Sequence, residues 1–195
     1  MKWTTWLSLP SEQPSPKQYV ATCPACQSKS LVVTELCYKL PNFGDVYLLS
    51  ASCSTCGFKH TDILELSPHQ EPSRYTVKVE SPRDLNVLVV RSSSASVVMP
   101  ELGVTITPGP YAQGVITTIE GFLHKAKEIV EFLLSSEVDE ERKRRCLDIL
   151  KRLDKAIDGE EHFTFIIEDP SGLSVVVPKE GVPTKIIKEP LASGD

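Results

Sequence analysis

The chain has 195 residues, enough for one moderate domain or two small ones. With 41% hydrophobic and 24% charged residues it has the composition of an ordinary globular protein. Its net charge of −5 excludes a protein that grips nucleic acid mainly through overall positive charge, and no apolar run is long enough to span a bilayer, so no membrane partner is expected.

Residues 1–20 read as a flexible N-terminal arm. Pro10, Pro14 and Pro16, interleaved with Ser8, Ser11 and Ser15, favour irregular backbone. Trp3 and Trp6 are its odd feature; docking on the body or disorder is favoured over a partner contact, although Trp is a favoured hot-spot residue. The opening from Met1 to Trp6 is too polar for a signal-peptide core, so a reducing cytoplasmic location is expected.

Residues 21–67 carry the strongest chemical signal. Cys23-Pro24-Ala25-Cys26 and Cys53-Ser54-Thr55-Cys56-Gly57 are two Cys-x-x-Cys knuckles, and four thiolates can close a tetrahedral shell around one structural Zn²⁺. Gly57 can supply the positive φ of a tight turn. The gap between knuckles, residues 27–52, exceeds the compact zinc-site spacing of about 15–20. A β-hairpin accounts for the excess: a strand from Leu31 to Leu40, a turn at Pro41-Asn42-Phe43-Gly44 and a return strand from Val46 to Ala51. Cys37 falls inside this hairpin and reads as a small half-buried hydrophobe rather than a fifth ligand. A further strand begins near Phe58 and Ile63 and ends near Ser67-Pro68.

Residues 68–190 form the second module. Tyr75 to Val79 alternates as a strand should. Leu85 to Val90 lacks alternation and reads as a strand buried on both faces. Ser92-Ser93-Ser94 is a short polar turn, Ala95 to Met99 a strand ended by Pro100, and Val104 to Thr107 the next. The period then changes. Ile119, Phe122, Leu123, Ala126, Ile129 or Val130, Leu133 and Leu134 recur at helical spacing, with Thr117 or Thr118 as N-cap and Glu120 in the first turn. After Ser135-Ser136 a second helix runs from about Asp139 to Ile157, its stripe made of Cys146, Ile149 or Leu150, Leu153 and Ile157, and Gly159 closes it. The two make an antiparallel helical hairpin at about 118–158. His162 to Ile167 is a strong strand, Asp169-Pro170-Ser171-Gly172 a turn, and Leu173 to Val177 the expected hairpin partner; Thr184 to Lys188 adds an edge strand. The fold class is mainly β (α+β): strands on either side of the helices need each other to form a core.

These residues together resemble the ZPR-type zinc-finger family, most closely its single-module, archaeal-style members. The zinc segment shows Cys23/Cys26, Pro41-Asn42-Phe43 and Cys53/Cys56-Gly57-Phe58. The second segment shows Asp84-Leu85, Arg91-Ser92, Pro100-Glu101-Leu102, Thr117-Thr118-Ile119-Glu120-Gly121 and the run from Asp169 to Ser174. The match covers roughly Thr22 to Val177 in family order. Asn86, Val87 and Leu88 follow where an Arg is usual, Leu173 replaces an Asn, and Asp62 stands where Glu is common. The resemblance implies a four-cysteine zinc ribbon followed by a double-stranded β-helix-like domain with an inserted helical hairpin. It also implies a partner, the translation elongation factor one-alpha type GTPase, whose folding the family assists.

Turn and cap chemistry accounts for the motif residues one by one. The functional reading is a shared partner surface made by Pro41, Phe43, Pro100, Glu101, Thr117, Thr118, Glu120, Asp169 and Gly172. Catalysis is not expected. His60, His69, His124 and His162 show no metal-ligand spacing, and there is no phosphate-binding Gly-rich loop. The run Arg142 to Arg145, preceded by Asp139-Glu140-Glu141, reads as a solvated helix face. The alternative to a GTPase-binding protein is a nucleic-acid-binding ribbon using Phe43 and Phe58 beside Lys39 and Lys59.

Overall fold

Four antiparallel strands build the first unit, each paired with its neighbour in sequence: β1 (Lys17–Ala21), β2 (Leu31–Leu40), β3 (Gly44–Cys53) and β4 (Lys59–Glu65). The computed structural model describes residues 15–40, 44–65, 71–179 and 181–191; Trp3, Trp6, Pro41 and Phe43 lie outside them. The chain divides into two compact units, Met1–Ser67 and Pro68–Asp195.

The ribbon strands follow from β-forming residues with period-2 burial: Leu31 and Val33 are buried, while Val32 between them is exposed. Residues 17–20, expected in a flexible arm, belong instead to edge strand β1. Tyr19 and Val20 suit a pleated surface, and β1 pairs with β2 from Lys17↔Glu35 to Ala21↔Leu31. Beyond the knuckle end of this sheet, Glu35 accepts hydrogen bonds from the Tyr47 hydroxyl (2.6 Å) and the Tyr19 hydroxyl (2.7 Å). Those bonds, Tyr47 first, hold its carboxyl below the usual range.

The second unit is a sandwich of two sheets. One has five strands in the order β12-β5-β10-β7-β8 and the other three, β11-β6-β9. Their ranges are β5 (Ser73–Val79), β6 (Leu88–Arg91), β7 (Ser96–Met99), β8 (Val104–Ile106), β9 (Val115–Thr118), β10 (Phe163–Asp169), β11 (Val175–Val177) and β12 (Ile186–Pro190). Between the sheets lie Val77, Val79, Val89, Val97, Met99, Phe165, Ile167 and Val176. The helical pair α1 (Ile119–Ser136) and α2 (Glu140–Ile157) is inserted between β9 and β10. It adds Phe122, Leu123, Leu153 and Ala156 to the same core, with Phe122 and Phe165 ring centroids 5.4 Å apart.

Three expectations change here. Leu173 to Val177 is not the hairpin partner of β10: β11 pairs with β6 in the opposite sheet, while β10 sits between β5 and β7. The turn after Asp169 carries the chain across the sandwich. Residues 85–90 are not one strand, because Asp84–Asn86 forms a 3₁₀ turn before β6. The Asp84 carboxylate fixes that turn by accepting from the Ser81 amide and hydroxyl (both 2.9 Å) and from the Thr184 hydroxyl (2.6 Å). The apolar stripe of α1 ends at buried Val130; Ile129 and Leu133 are exposed. An 18-residue helix is about 27 Å long, and only its first half lies on the sandwich. The Arg142–Arg145 run is solvated and laced by Lys143–Glu140 and Arg145–Glu141 pairs.

Gly159 ends α2 at φ 76°, and a Cβ there would lie 2.6 Å from Pro82 Cγ. Gly159→Ala is therefore expected to cost about 2–4 kcal/mol, a left-handed alanine plus a forced displacement of Pro82. Gly181→Ala, at φ 77° with nothing near its Cβ, isolates the conformational part. Denaturant melts of the two variants check this; equal losses would remove the Pro82 contact as a cause.

Candidate metal centre and surrounding motifs

Each knuckle turns the same way. The Gln27 amide donates to the Cys23 carbonyl (2.9 Å) as the Gly57 amide does to Cys53 (3.0 Å). The Cys23 amide donates to Ser28 and the Cys53 amide to Phe58, both at 2.8 Å. The residue after each second cysteine takes a positive φ, 61° at Gln27 and 73° at Gly57. Glycine does so without strain; Gln27 holds it with a side-chain bond to the Pro24 carbonyl. The β2–β3 register, Leu31↔Cys53, brings the second knuckle beside the first.

The four Sγ atoms of Cys23, Cys26, Cys53 and Cys56 all lie within 4.8 Å of one another. Cys23–Cys56 and Cys26–Cys53 are each 3.7 Å apart. A tetrahedron of sulfurs at about 2.3 Å from a central ion has edges of about 3.8 Å. The donor set and its spacing thus fit a closed tetrahedral metal site, the only such cluster among the described residues. Its electrostatics fit as well. Cys53 is held down to about 5, first by the Ser30 hydroxyl at 3.2 Å. Cys56 is pushed up to about 12: the Phe58 amide pulls it down, but contacts with Cys26, Cys53 and Cys23 and partial burial outweigh that pull. Four thiolates so close together need a cation to share.

Sequence spacing gave no sign of the hydroxyls around the sulfurs. Ser28 Oγ lies 3.0 Å from Cys26 Sγ, and Ser30 Oγ bridges Ser28 and Thr55 at 2.7 Å each. Toward thiolates these hydroxyls donate, holding the ligands in place. Phe58 packs half-buried on the ribbon core of Leu31, Val33 and Ala51. It is a structural aromatic, which takes one base-stacking platform from the nucleic-acid reading. Cys37 is half-buried away from the metal cluster, and Cys146 packs against the sandwich core.

Pro41 and Phe43 lie outside the described residues, and the expected partner-surface residues of the second unit are spread over several of its turns and caps. Pro100 opens a 3₁₀ turn, and Glu101 accepts from the Thr164 amide (2.9 Å) and hydroxyl (2.7 Å). Thr118 caps α1, accepting from the Gly121 amide at 3.2 Å, while Glu120 lies in its first turn. Gly121 approaches Thr117 so closely that a Cβ would strike its hydroxyl. Asp169 is wholly buried, and Gly172 is buried at the end of the turn beyond it, whose Pro170 is exposed. Thr164 and Asp169 are five steps apart on β10, about 17 Å. Glu101 and Asp169 therefore cannot touch one partner group together, and Asp169 acts inside the fold.

A model of the ZPR1 zinc-finger domain matches residues 17–71, and one of the ZPR1 jelly-roll domain matches residues 83–189. A ZPR1-like protein of Methanocaldococcus jannaschii is 39% identical over 168 residues, covering 86% of this chain and 84% of that one. One from Pyrococcus horikoshii is 36% identical, with 86% and 76% covered. The zinc finger chaperone zpr1 of Schizosaccharomyces pombe is 32% identical over 77% of this chain, which spans 33% of that longer protein. Ribbon and jelly roll follow one another here as the two domain models do, and with a relative this similar across most of both lengths the chain belongs to the ZPR1 zinc-finger family.

Proposed function

We propose that this protein is a non-enzymatic, cytoplasmic binding protein that assists the folding of a translation elongation factor one-alpha type GTPase, with one structural Zn²⁺ held by Cys23, Cys26, Cys53 and Cys56. The observation that carries it is the apolar surface of the helical hairpin. Phe132 is 72% exposed and Val138 87%, and Leu133 and Leu147 are more than half exposed. A hairpin projecting large apolar side chains suits transient capture of a client. The printed name of the fission-yeast relative, a zinc finger chaperone, is in keeping with this. Four sulfurs leave the metal no open position, so its part is to fold the ribbon rather than to activate water.

The test is calorimetric titration of the zinc-loaded chain with the GTPase from the same organism, nucleotide-free, GDP-bound and GTP-bound. Binding in at least one state, weakened tenfold or more by Phe132→Glu, is expected. Failure of all three states to bind would remove the reading.

A further inference from the structure

The outer edge of β8 faces a groove that the hairpin surface does not account for. β8 ends the five-stranded sheet. Among the described residues, no main-chain bond outside its ladder with β7 engages Val104, Thr105, Ile106 or Thr107. Opposite this edge stands the apolar face of α1. Ala126, Ile129, Val130 and Leu133, at helical spacing, line a cleft of about 340 Å³ with residues 103–107. A second cleft, of about 390 Å³, adjoins it across Ile106 and Ile129 and runs to Arg91 and Lys125.

A free strand edge facing an apolar helix is the geometry of strand addition. Main-chain bonds supply affinity and alternate side chains enter the pockets. The charge of the groove narrows the occupant. Arg91 and Lys125 line the second cleft, and no acidic side chain does. Arg91 is only 7% exposed; its Nη1 and Nη2 donate to the Ala95 and Gln113 carbonyls, while its Nε has no partner. Among the described residues, Lys125 pairs with Glu128 alone, and that pair is exposed and weak.

We infer that this groove binds an extended peptide segment of a partner protein, added along β8 with alternate apolar side chains against α1 and an acidic residue at the Arg91–Lys125 end. The site meets the exposed hairpin surface at Leu133 but is not lined by Phe132, Val138 or Leu147, so Phe132 tests the hairpin surface alone.

The probe is a fluorescein-labelled peptide of alternating valine and threonine ending in two aspartates, titrated into the zinc-loaded full chain by anisotropy and by ¹⁵N amide shifts. Shifts are expected at residues 103–107. A peptide ending in two lysines should bind at least fivefold more weakly, and Ile129→Glu should weaken binding at least tenfold. Lys125→Glu, at a solvated position that leaves the fold intact, should reverse the preference between the two peptides. Phe132→Glu should leave peptide binding unchanged, so loss of GTPase capture and loss of this site are distinguishable. No binding at millimolar peptide, equal binding of both peptides, or shifts confined to other surfaces would overturn the inference. So would a β8-mediated dimer of the chain, seen by sedimentation, that excludes the peptide.

Discussion

Removing the metal, or replacing Cys53 by serine, is expected to unfold the ribbon and leave the jelly roll folded. Among the described residues, the ribbon's buried cluster is Cys23, Leu31, Val33, Ala51 and Cys53, and Cys23 and Cys53 are ligands. Its aliphatic members add only roughly 1.5–3 kcal/mol each even when fully buried. A structural zinc site contributes on the order of 10–16 kcal/mol, which appears as folding free energy because the unfolded chain has no site. The second unit owns a separate core around Phe165, Leu123 and Leu153 and needs no such help. Chelation should therefore collapse the amide signals of residues 17–65 toward random-coil positions, release one zinc per chain, and leave those of residues 73–190 dispersed. The two knuckle positions should differ: Cys53 is buried beneath Ser30, whereas Cys26 is exposed, so Cys26→Ser should retain more ribbon at saturating zinc. Ribbon signals that stay dispersed after chelation would show that the sheet folds without metal, and collapse of both units would show that they are not independent.

What the sequence made legible was local. Two Cys-x-x-Cys turns, the strand Leu31–Leu40 and the 3.6-residue period of α1 and α2 each depend on neighbours a few residues away. What it hid was pairing at a distance. Val175–Val177 follows β10 after a tight turn, as a hairpin partner would, and nothing in those residues says that the turn crosses to the other sheet. Val115–Thr118 escaped as a strand because it is only four residues long and runs straight into the cap of α1. Leu133 kept the helical period past the point where the sandwich ends, since periodicity records a face and not what covers it. The Asp169 motif read as surface because Asp, Pro, Ser and Gly are turn residues; its burial depends on serines about 80 positions upstream.

That buried carboxylate should dominate the stability of the jelly roll. Asp169 Oδ1 accepts from the Ser94 hydroxyl (2.8 Å), the Ser171 amide (2.9 Å) and the Ser171 hydroxyl (2.7 Å), and Oδ2 accepts from the Ser174 amide at 2.6 Å. Ser174 in turn accepts from the Ser92 amide at 3.0 Å, so the network ties the end of β10 to the β6–β7 turn and to the start of β11. Asp169→Asn leaves the volume but turns one acceptor into a donor facing amides. The Ser94 and Ser171 hydroxyls can rotate to new partners, whereas the Ser171 and Ser174 amides cannot, and the expected cost is about 2–4 kcal/mol at neutral pH. The pH dependence gives a sharper test. Burial by itself would raise the Asp169 carboxyl, but the bonds from Ser174, Ser171 and Ser94 outweigh it and hold the group below its ordinary 3.8. The folded state thus binds this proton less readily than the unfolded state. The stabilisation is fully present above the unfolded value and is lost as pH falls through the folded one. Asp84 and Glu101 are also held low and steepen the acid limb in both proteins, so the difference between wild type and variant is the quantity to follow. Measured on jelly-roll amide signals, that difference should be largest at pH 7 and shrink below about pH 4. A variant as stable as wild type at pH 7, or a gap unchanged at pH 3, would mean that the serines hold the sandwich together without the charge.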